Sequence, residues 1–444
     1  MAEPPQHDLD NQFYVLVTGA NSGLGLAICA RLINTFLTTH PPTTHLTIIF
    51  TTRSAKKASS TLHHLQTLLP PISSPTTSSR ITLHPETVDL SSLPSVRALS
   101  TRLTQTLPKL DSIVLNAGIG GWTGIDWPRA IWGTLTDLVH SVSWFAHKIA
   151  PVGMITPPQT TQPDEPRLGS VFTANVFGHY MLSHGVMGLL RKSTQPGRVI
   201  WVSSIEATVN HFNVEDIQGL RSTVPYESSK TLTDILALTA ETPSTRKWVQ
   251  GFYNPPDKRG DNVDEKGGEG EEPRMYLSHP GVCGTGILPL ALPLFWCMIA
   301  SFYIARLLGS PWHTLSTYAG ACAPTWLAIS RQEELDAAEE VYRAHGGGKV
   351  KWGSSCDRLG RDKAVSTEVD GWGHGGVVGE AVVMEDRVRR RKRGARDLTA
   401  EDKVEFEELG RKCWQGMEEL RVQWEEILER EEGAAAAAAA AAAA

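Results

Sequence analysis

"FYVLVTGANSGLG", Phe13 to Gly25, carries the strongest structural signal in this chain. Its first half is a short apolar run rich in β-branched and aromatic residues, which predicts a buried strand. Three glycines follow in the spacing G-x-x-x-G-x-G, and apolar residues then recur at helical intervals as far as Phe36. A strand, a glycine turn and a helix in this order predict the start of a βαβ unit in a parallel sheet.

The alternation of strand and helix continues toward residue 330. Five further apolar runs predict strands: "HLTIIFTTR", "RITLHPETVDL", "LDSIVLNAG", "GRVIWVSS" and "RMYLSHPGV". Segments of helical periodicity separate several of them, as crossover helices do in a parallel sheet. We therefore expect an α/β fold, a Rossmann-type doubly wound parallel sheet over residues 12–330, with insertions and a C-terminal amphipathic helix.

The composition of the 444 residues, 41% hydrophobic and 20% charged, is that of a globular protein. The net charge of −6 argues against nucleic acid as a partner. Six cysteines are scattered without a C-x-x-C pair or a metal-ligand spacing, which indicates free thiols, a reducing compartment and no metal site. The N-terminal "MAEPPQHDLDNQ" has no apolar signal region, so secretion is not expected.

Three segments depart from the strand–helix pattern. Residues 120–169 are too long for an ordinary loop and predict an insertion. Residues 257–274 are charged and glycine-rich, and predict a disordered surface insertion. Residues 331–398 are predicted to be variable and partly disordered, and their basic run at 387–396 fits either solvated charge or contact with anionic lipid heads. Tryptophans in the first insertion fit either core packing or an entrance or membrane contact: Trp122, Trp127, Trp132 and Trp144.

A C-terminal amphipathic helix is predicted over residues 399–432, followed by a low-complexity alanine tail at 433–444. Thr399 is placed to cap the helix. The apolar face would dock on the main domain or bind a partner, and both remain open. Its members recur at steps of three and four: Phe406, Leu409, Cys413, Met417, Leu420, Trp424 and Ile427.

The glycine turn is a candidate site for a pyrophosphate. Glycines let the backbone turn sharply and let an anion approach the helix N-terminus, where free N–H groups and the helix dipole favour negative charge. The strand before the turn and the helix after it supply the context that such a motif requires. The candidate residues are Thr18, Gly19, Asn21, Ser22, Gly23, Leu24 and Gly25.

The end of the second predicted strand indicates which dinucleotide would bind. A site for NAD usually has Asp or Glu there, on the ribose 2′-hydroxyl, whereas this chain has Thr52 and Arg53. A guanidinium suits a 2′-phosphate, so we expect NADPH; the alternative is an ordinary surface arginine. The candidates at other strand ends, for adenine and the adjoining ribose, are Asp89, Asn116, Ala117 and Gly118.

Tyr226 and Lys230 lie one helical turn apart in "PYESSK", so their side chains share a helix face. A free phenol has a pKa near ~10 and is a reluctant proton donor at pH 7. A neighbouring cation favours the phenolate and lowers that pKa, which would make Tyr226 a better acid toward a ketone that receives a hydride. Alone, the pair also fits a solvated helix face.

Six motifs occur in a distinctive order: Thr18-Gly19-x-x-x-Gly23-x-Gly25, Asn116-Ala117-Gly118, Asn175, Ser204, Tyr226-x-x-x-Lys230 and Pro280-Gly281-x-x-x-Thr285. Over about residues 14–287 the chain thus resembles the short-chain dehydrogenase/reductase superfamily. The resemblance implies catalytic roles for Ser204, Tyr226, Lys230 and Asn175. Pro280, Gly281 and Thr285 would lie at the nicotinamide.

The resemblance implies a specific role for each of these residues. Ser204 would stabilise charge on the carbonyl oxygen, with Ser203 as the alternative serine. Lys230 would bind the nicotinamide ribose. Asn175 would hold a water that links Lys230 to solvent, or be a capping or packing residue instead.

A narrower resemblance rests on "GIDWPRAIW", "FTANVFGHY", "VSSIEA", "FYIARLLGSPWH" and the wide gap between Ser204 and Tyr226 (226 − 204 = 22 positions). These look like the fungal 3-ketosteroid reductases of ergosterol synthesis, relatives of the animal 17β-hydroxysteroid dehydrogenase type 7. That family implies reduction of 3-keto sterols to 3β-alcohols during C4-demethylation. It also implies the endoplasmic reticulum membrane or lipid droplets as location, and a C4 oxidase, a decarboxylase and a scaffold protein as partners.

Two other functions stay open at this point. One is a reductase for a different bulky ketone, such as a 17-ketosteroid or a polyketide. The other is a non-catalytic scaffold for sterol enzymes.

The most apolar stretch, residues 287–308, has three interpretations. It fits a membrane-dipping segment that also covers a sterol site, a buried lid helix, or a transmembrane span, for which ~20 apolar residues are needed. Burial of a sterol at ~25 cal/mol per Å² would supply most of its affinity, and polar groups would orient its 3-oxygen.

Overall fold

The computed structural model describes residues 9–69, 80–254, 271–287, 290–392 and 394–443. Its central element is an eight-stranded sheet, and two further short strands form a small sheet of their own. The strands are β1 (Gln12–Val17), β2 (His45–Thr52), β3 (Ile81–Thr87), β4 (Ser112–Leu115), β5 (Gly124–Ile125), β6 (Lys148–Ile149), β7 (Arg198–Val202), β8 (Arg274–His279), β9 (Lys351–Cys356) and β10 (Asp362–Ser366).

The main sheet has the strand order β10-β9-β8-β7-β4-β1-β2-β3. Neighbouring strands are parallel from β3 to β9, and β10 pairs antiparallel with β9. The chain leaves β1 toward β2 and β3 and then returns to the other side at β4. In doubly wound sheets this reversal opens a crevice at the carboxyl ends of the strands, which is where ligands bind. The predicted α/β architecture is confirmed.

Helices connect the strands and cover both faces of the sheet. The long helix before β7 contains a π-helical turn at Thr173–Phe177. The helices are α1 (Gly23–Thr39), α2 (Ala55–Thr67), α3 (Leu93–Thr106), α4 (Trp127–Thr136), α5 (Leu138–Ser143), α6 (Ser170–Phe172), α7 (Gly178–Gly185), α8 (Met187–Arg191), α9 (Pro225–Leu238), α10 (Arg246–Tyr253), α11 (Leu292–Leu307), α12 (Thr317–Gly320), α13 (Cys322–Ile329), α14 (Gln332–Arg343), α15 (Met384–Val388) and α16 (Ala400–Ala443).

Apolar side chains form one buried cluster on each face of the sheet. In β1, Leu16 belongs to one cluster, and Val15 and Val17 belong to the other. Successive side chains of a strand point to opposite faces, so a strand covered on both sides is apolar at every position. This explains the unbroken apolar run at the start of the chain.

The C-terminal helix α16 docks on the main domain. Thr399 caps it, since its hydroxyl accepts a hydrogen bond from the Asp402 backbone N–H at 3.0 Å. Trp414, Met417 and Trp424 are fully buried in the same cluster as the sheet core. The helix continues through the alanine tail to Ala443, in keeping with the high helix propensity of alanine.

The prediction that residues 331–398 are variable and partly disordered, outside a domain that ends at 330, is wrong. This segment supplies α14, and its strand β9 pairs parallel with β8 and lies between β8 and the edge strand β10. The sequence of β9, "KWGSSC", lacks an apolar pattern although all six residues are buried. Its polar side chains bond inside the protein: the Ser354 hydroxyl, for example, donates to the Gly320 carbonyl at 2.7 Å.

Four cations of the basic run at 387–396, Arg387, Arg390, Arg391 and Lys392, form ion pairs. Arg390 Nη1 lies 2.6 Å from the buried Asp386 carboxylate. Lys392 Nζ lies 3.0 Å from the Asp370 carboxylate. These pairs fasten the run to the domain, because Asp370 lies in another loop and Asp386 also accepts hydrogen bonds from Tyr342 and Ser366.

The two predicted insertions differ in what the structure describes. The segment 120–169 contains β5, α4, α5 and β6. Most of the segment 257–274 lies outside the described residues.

The apolar segment at 287–308 contains the helix α11, which packs against α5. Only Phe302 and Ala305 of this helix are buried, so the interpretation as a wholly buried lid helix is wrong. No helix in the described part of the chain combines the length and apolarity needed to cross a bilayer.

Candidate active site

One cavity of about 980 Å³ lies at the carboxyl ends of the sheet strands. The glycine turn after β1 lines one end of it. Side chains from α4 and α11 line the other end, among them Ile131, Leu135, Leu294 and Phe302. The site therefore joins a backbone-rich polar end to an apolar end.

The backbone of the glycine turn comes too close to its neighbours for side chains. Gly19 has a φ of +69°, and a Cβ there would lie 2.8 Å from the Ala117 Cβ. A Cβ on Gly25 would lie 2.3 Å from the Gly19 carbonyl oxygen. Of the candidates in this turn, the structure places these in the cavity wall: Gly19, Asn21, Ser22, Gly23, Leu24 and Gly25.

Thr18 is fully buried behind the turn and braces it instead. Its hydroxyl oxygen accepts hydrogen bonds from the backbone N–H groups of Asn116 at 2.9 Å and Ala117 at 3.0 Å. The same oxygen lies 2.8 Å from His179 Nε2. Burial lowers the pKa of His179 to about 3, so this histidine is neutral. The brace ties the ends of β1 and β4 to α7.

The end of β2 brings Thr52 and Arg53 to the cavity wall, together with Lys57 from the first turn of α2. Asp89 also lines the cavity, and its carboxylate accepts hydrogen bonds from the Ser91 hydroxyl and backbone at 2.6 and 3.0 Å. The sequence did not single out Lys57 as a ligand. Two cations thus lie at the end where the sequence predicted a 2′-phosphate.

Tyr226 and Ser204 meet at the junction of the two ends of the cavity. Pro225 begins α9, which places Tyr226 in its first turn. Both side chains line the cavity, and the Ser204 side chain acts to lower the pKa of the Tyr226 hydroxyl. The Ser203 hydroxyl faces away, since it donates to the buried Asp234 carboxylate.

Lys230 follows Tyr226 on the same helix, as the spacing predicted. Its Nζ donates to the Val202 carbonyl at 2.7 Å and lies 5.9 Å from the centre of the Tyr226 ring. Burial lowers the pKa of Lys230 to about 8, against the opposing effect of Asp234.

The electrostatic surroundings of Tyr226 differ from those expected. Burial, and then the carboxylates of Glu206 and Glu227, raise the pKa of Tyr226, and the Ser204 side chain acts in the opposite direction. The sequence predicted that Lys230 would lower this pKa. The Lys230 ammonium bonds the Val202 carbonyl and faces the Tyr226 ring. The sequence analysis did not identify the two glutamates that raise the pKa of Tyr226.

Asn175 lies in the π-helical turn and is buried outside the cavity wall. Its amide exchanges two hydrogen bonds with the Ile119 backbone, at 2.8 and 3.0 Å, and donates a third to the Ser229 hydroxyl at 3.1 Å. The side chain thus joins the loop after β4 to α9. These bonds fit the packing role, and the role of Asn175 in holding a water beside Lys230 stays a prediction.

The remaining predicted positions follow β8. Pro280, Gly281 and Thr285 all line the cavity. Gly281 has a φ of +69°, and a Cβ there would lie 2.4 Å from the Trp312 carbonyl oxygen, so only glycine fits.

The four tryptophans of the 120–169 insertion have different positions. Trp122 packs on Tyr226 with 4.8 Å between ring centres, and the indole N–H of Trp144 donates to the Ile205 carbonyl at 3.2 Å. Trp127 and Trp132 are 43% and 71% exposed on α4. The first pair is packed inside, and the second pair faces out.

A charged group beside Tyr226 escaped the sequence analysis. Lys148 Nζ lies 2.6 Å from Glu206 and 2.7 Å from Glu227, with all three side chains largely buried. Glu206 and Glu227 belong to the stretches "VSSIEA" and "PYESSK", in which the sequence analysis assigned roles only to other residues. Lys148 gave no signal, because it lies in the insertion, 58 positions from Glu206.

A parallel doubly wound sheet, a glycine turn at its switch point, and a tyrosine, a lysine and a serine around one cavity are the features of a short-chain dehydrogenase/reductase. No family model matches the chain. It is 62% identical over 438 residues to 3-keto-steroid reductase erg27 of Aspergillus fumigatus, covering 96% of this chain and 97% of that protein. It is 38% identical to 3-keto-steroid reductase ERG27 of Gibberella zeae, covering 94% and 95%.

The chain therefore belongs to the 3-keto-steroid reductase family. Solved structures overlap it more distantly. A short-chain type dehydrogenase/reductase from Mycobacterium ulcerans has a TM-score of 0.40 and 15% identity, covering 72% of this chain and 83% of that one.

Proposed function

We propose that the protein reduces the 3-keto group of sterol C4-demethylation intermediates to the 3β-hydroxyl, with NADPH as reductant. The relatives at 62% and 38% identity carry the name 3-keto-steroid reductase. The observation that supports the chemistry is the position of the Tyr226 hydroxyl. It lies with Ser204 where the polar and apolar ends of a single cavity meet.

The polar end fits a nicotinamide dinucleotide. The glycine turn lines this end of the cavity at the N-terminus of α1, where an anion is favoured, and its close packing against the protein leaves no room for a Cβ at Gly19 or Gly25. Arg53 and Lys57 suit the 2′-phosphate of NADPH. When bound, NADPH supplies the hydride.

The chain's own residues supply the rest of the reaction. Tyr226 donates its phenolic proton to the ketone oxygen, and Ser204 donates a hydrogen bond to the same oxygen and stabilises charge there. Lys230 lies between Val202 and Tyr226, where its cation stabilises the phenolate that proton donation leaves. Asn175 and Thr18 hold the loop after β4 and the glycine turn in place.

The apolar end fits a sterol and a membrane surface. Ile131, Leu135 and Leu294 line the cavity and are also 57%, 78% and 40% exposed, so the cavity mouth lies between α4 and α11. The same two helices also carry exposed tryptophans, Trp132 on α4 and Trp296 on α11, which are 71% and 61% exposed. We assign this face to the endoplasmic reticulum membrane or a lipid droplet, where the C4 oxidase, the decarboxylase and their scaffold protein would be partners.

The test is sterol ketone reduction by purified wild type and the Tyr226→Phe variant, at matched NADPH binding. We expect the variant to bind NADPH normally and lose almost all turnover. Retained turnover, or rescue of sterol synthesis by Tyr226→Phe in cells lacking the enzyme, would favour the scaffold alternative. Faster turnover of a 17-ketosteroid or polyketide than of a 4-methyl-3-keto sterol would favour the other reductase. Build-up of 3-ketones in deletion cells is the expected cellular result.

A further inference from the structure

Trp122, from the insertion at 120–169, packs on the ring of Tyr226 in the cavity wall. The two ring centres are 4.8 Å apart and the ring planes meet at 64°, which is an edge-to-face contact. Such a contact between aromatic rings is favourable beyond the area that it buries. Both side chains also line the cavity. The indole is therefore part of the surface that surrounds the proposed proton donor.

The two residues before Trp122 are glycines, and each makes room for this placement of the indole. A Cβ on Gly120 would lie 2.3 Å from Trp122 Cε3, so the indole fills the space that a side chain at position 120 would take. Gly121 has a φ of +70°, which favours glycine, and a Cβ there would lie 2.7 Å from Val171 Cγ2. Glycine at both positions thus permits the turn that brings the indole onto Tyr226.

A buried ammonium also holds the indole. Lys148 Nζ lies 4.5 Å from the centre of the Trp122 ring, and the carboxylates of Glu206 and Glu227 fix this ammonium at 2.6 and 2.7 Å. A cation–π contact is stronger where the groups are removed from water. The indole N–H is buried and has no hydrogen-bond partner within the described part of the chain. Packing and the ammonium, rather than a hydrogen bond, therefore fix the indole.

The position of Trp122 determines how much space lies beside a ketone bound at Tyr226. A ketone that receives the Tyr226 proton must place its oxygen within hydrogen-bond reach of the phenol. The carbons next to the carbonyl are bonded to the reacting carbon, so they cannot lie far from a ring that packs on Tyr226 and lines the same cavity. Groups attached to those carbons meet the indole.

We propose that Trp122 is a specificity-determining residue that limits the size of the groups beside the ketone, which are the substituents at C4 of a 3-keto sterol. The inference rests on the proposed function, in which Tyr226 protonates the 3-keto oxygen. The indole distinguishes ketones by the number of methyl groups at C4. It cannot move aside without losing its contacts with Tyr226 and Lys148, and tightly packed surroundings resist added volume.

The experiment compares kcat/KM for 3-keto sterols with no, one or two methyl groups at C4, at saturating NADPH. Trp122→Ala enlarges the space beside the carbonyl. The dimethyl ketone fills that space, whereas the ketone without methyl groups loses contacts there. The ratio of kcat/KM for the dimethyl ketone to that for the unsubstituted ketone should therefore rise at least about tenfold. Trp122→Phe should give a ratio between those of wild type and Trp122→Ala.

Trp326 offers a matched control. It packs edge-to-face on Trp352, with 5.0 Å between ring centres and 68° between ring planes, and it lies outside the cavity wall. Trp326→Ala should keep the wild-type ratio. Both ketones are measured on the same preparation, so a smaller fraction of folded enzyme lowers both rates equally and leaves the ratio unchanged.

The outcomes separate this inference from the proposed function. If Trp122→Ala lowers kcat/KM by the same factor for all three ketones, or leaves all three unchanged, the inference fails and the proposed function stands. If the wild-type protein reduces none of the three ketones, or Tyr226→Phe keeps its turnover, the proposed function fails first.

Discussion

Lys351 on β9 donates a hydrogen bond from its ammonium to the Ser204 carbonyl oxygen at 2.7 Å, although 147 positions separate the two residues. The same ammonium lies 2.5 Å from the Asp234 carboxylate, and both side chains are 2% exposed. The Asp234 carboxylate also accepts a hydrogen bond from the Ser203 hydroxyl. One buried ion pair thus anchors the strand end that presents Ser204 to Tyr226.

Lys351→Met should destabilise the protein strongly. It leaves Asp234 buried without its cation, and breaking a buried ion pair in this way costs about 3–5 kcal/mol. The measurement is chemical denaturation followed by circular dichroism.

The double variant Lys351→Met, Asp234→Leu removes both charges and should recover much of that stability. Arg361→Met, which removes a largely exposed ion pair with Asp357, serves as the control and should unfold like wild type. Equal stability of Lys351→Met and the control would contradict the role given to β9.

Arg53→Ala should weaken NADPH binding at least about tenfold, the effect of one hydrogen bond to a charged group, and leave NADH binding almost unchanged. The reason is that only NADPH carries the 2′-phosphate. Dissociation constants by fluorescence titration would measure this. Lys56→Ala, an exposed neighbour on α2, is the control. Equal losses for both dinucleotides would count against NADPH as the cofactor.

The paired change Trp132→Asp and Leu135→Asp should reduce binding to phosphatidylcholine vesicles, because it places charge on the exposed apolar face of α4. Vesicle flotation measures the bound fraction. Val404→Asp adds charge to an exposed position on α16 and should float like wild type. If all three proteins float equally, this face does not contact lipid.

His179 should make stability depend on pH below about 6.5, the pKa of an unfolded histidine. Burial lowers its folded pKa to about 3, so the unfolded chain binds one more proton between these values. The free energy of unfolding should therefore fall as pH falls through this range, by up to about 1.4 kcal/mol per pH unit for this group.

His179→Gln should remove that share of the slope, whatever its effect on stability at pH 7. Denaturation at several pH values between 4 and 7 would show it. His345→Gln, at an exposed histidine, should keep the wild-type slope. An unchanged slope in His179→Gln would mean that His179 does not titrate with unfolding.

The sequence was least informative where polar residues are buried. The "KWGSSC" strand reads as a surface segment, yet it completes the sheet because Lys351 and Ser354 find partners inside. By sequence the apolar α11 fits a membrane-dipping segment, a buried lid helix or a transmembrane span, and its mostly exposed surface beside the cavity mouth excludes the buried lid. Periodicity reports the average polarity of a segment. Burial depends on the tertiary contacts that the segment makes, and these two segments show that the two can differ.

The amino-acid sequence by itself determined the doubly wound sheet, the glycine turn at its switch point, and the placement of Tyr226 and Lys230 on one helix face. Those features follow from local periodicity and short spacings. Only the tertiary structure decided that Lys148 meets Glu206 and Glu227 beside Tyr226, and that Lys351 lies beneath Ser204. Contacts across 58 and 147 positions depend on the path of the whole chain, which no short pattern encodes.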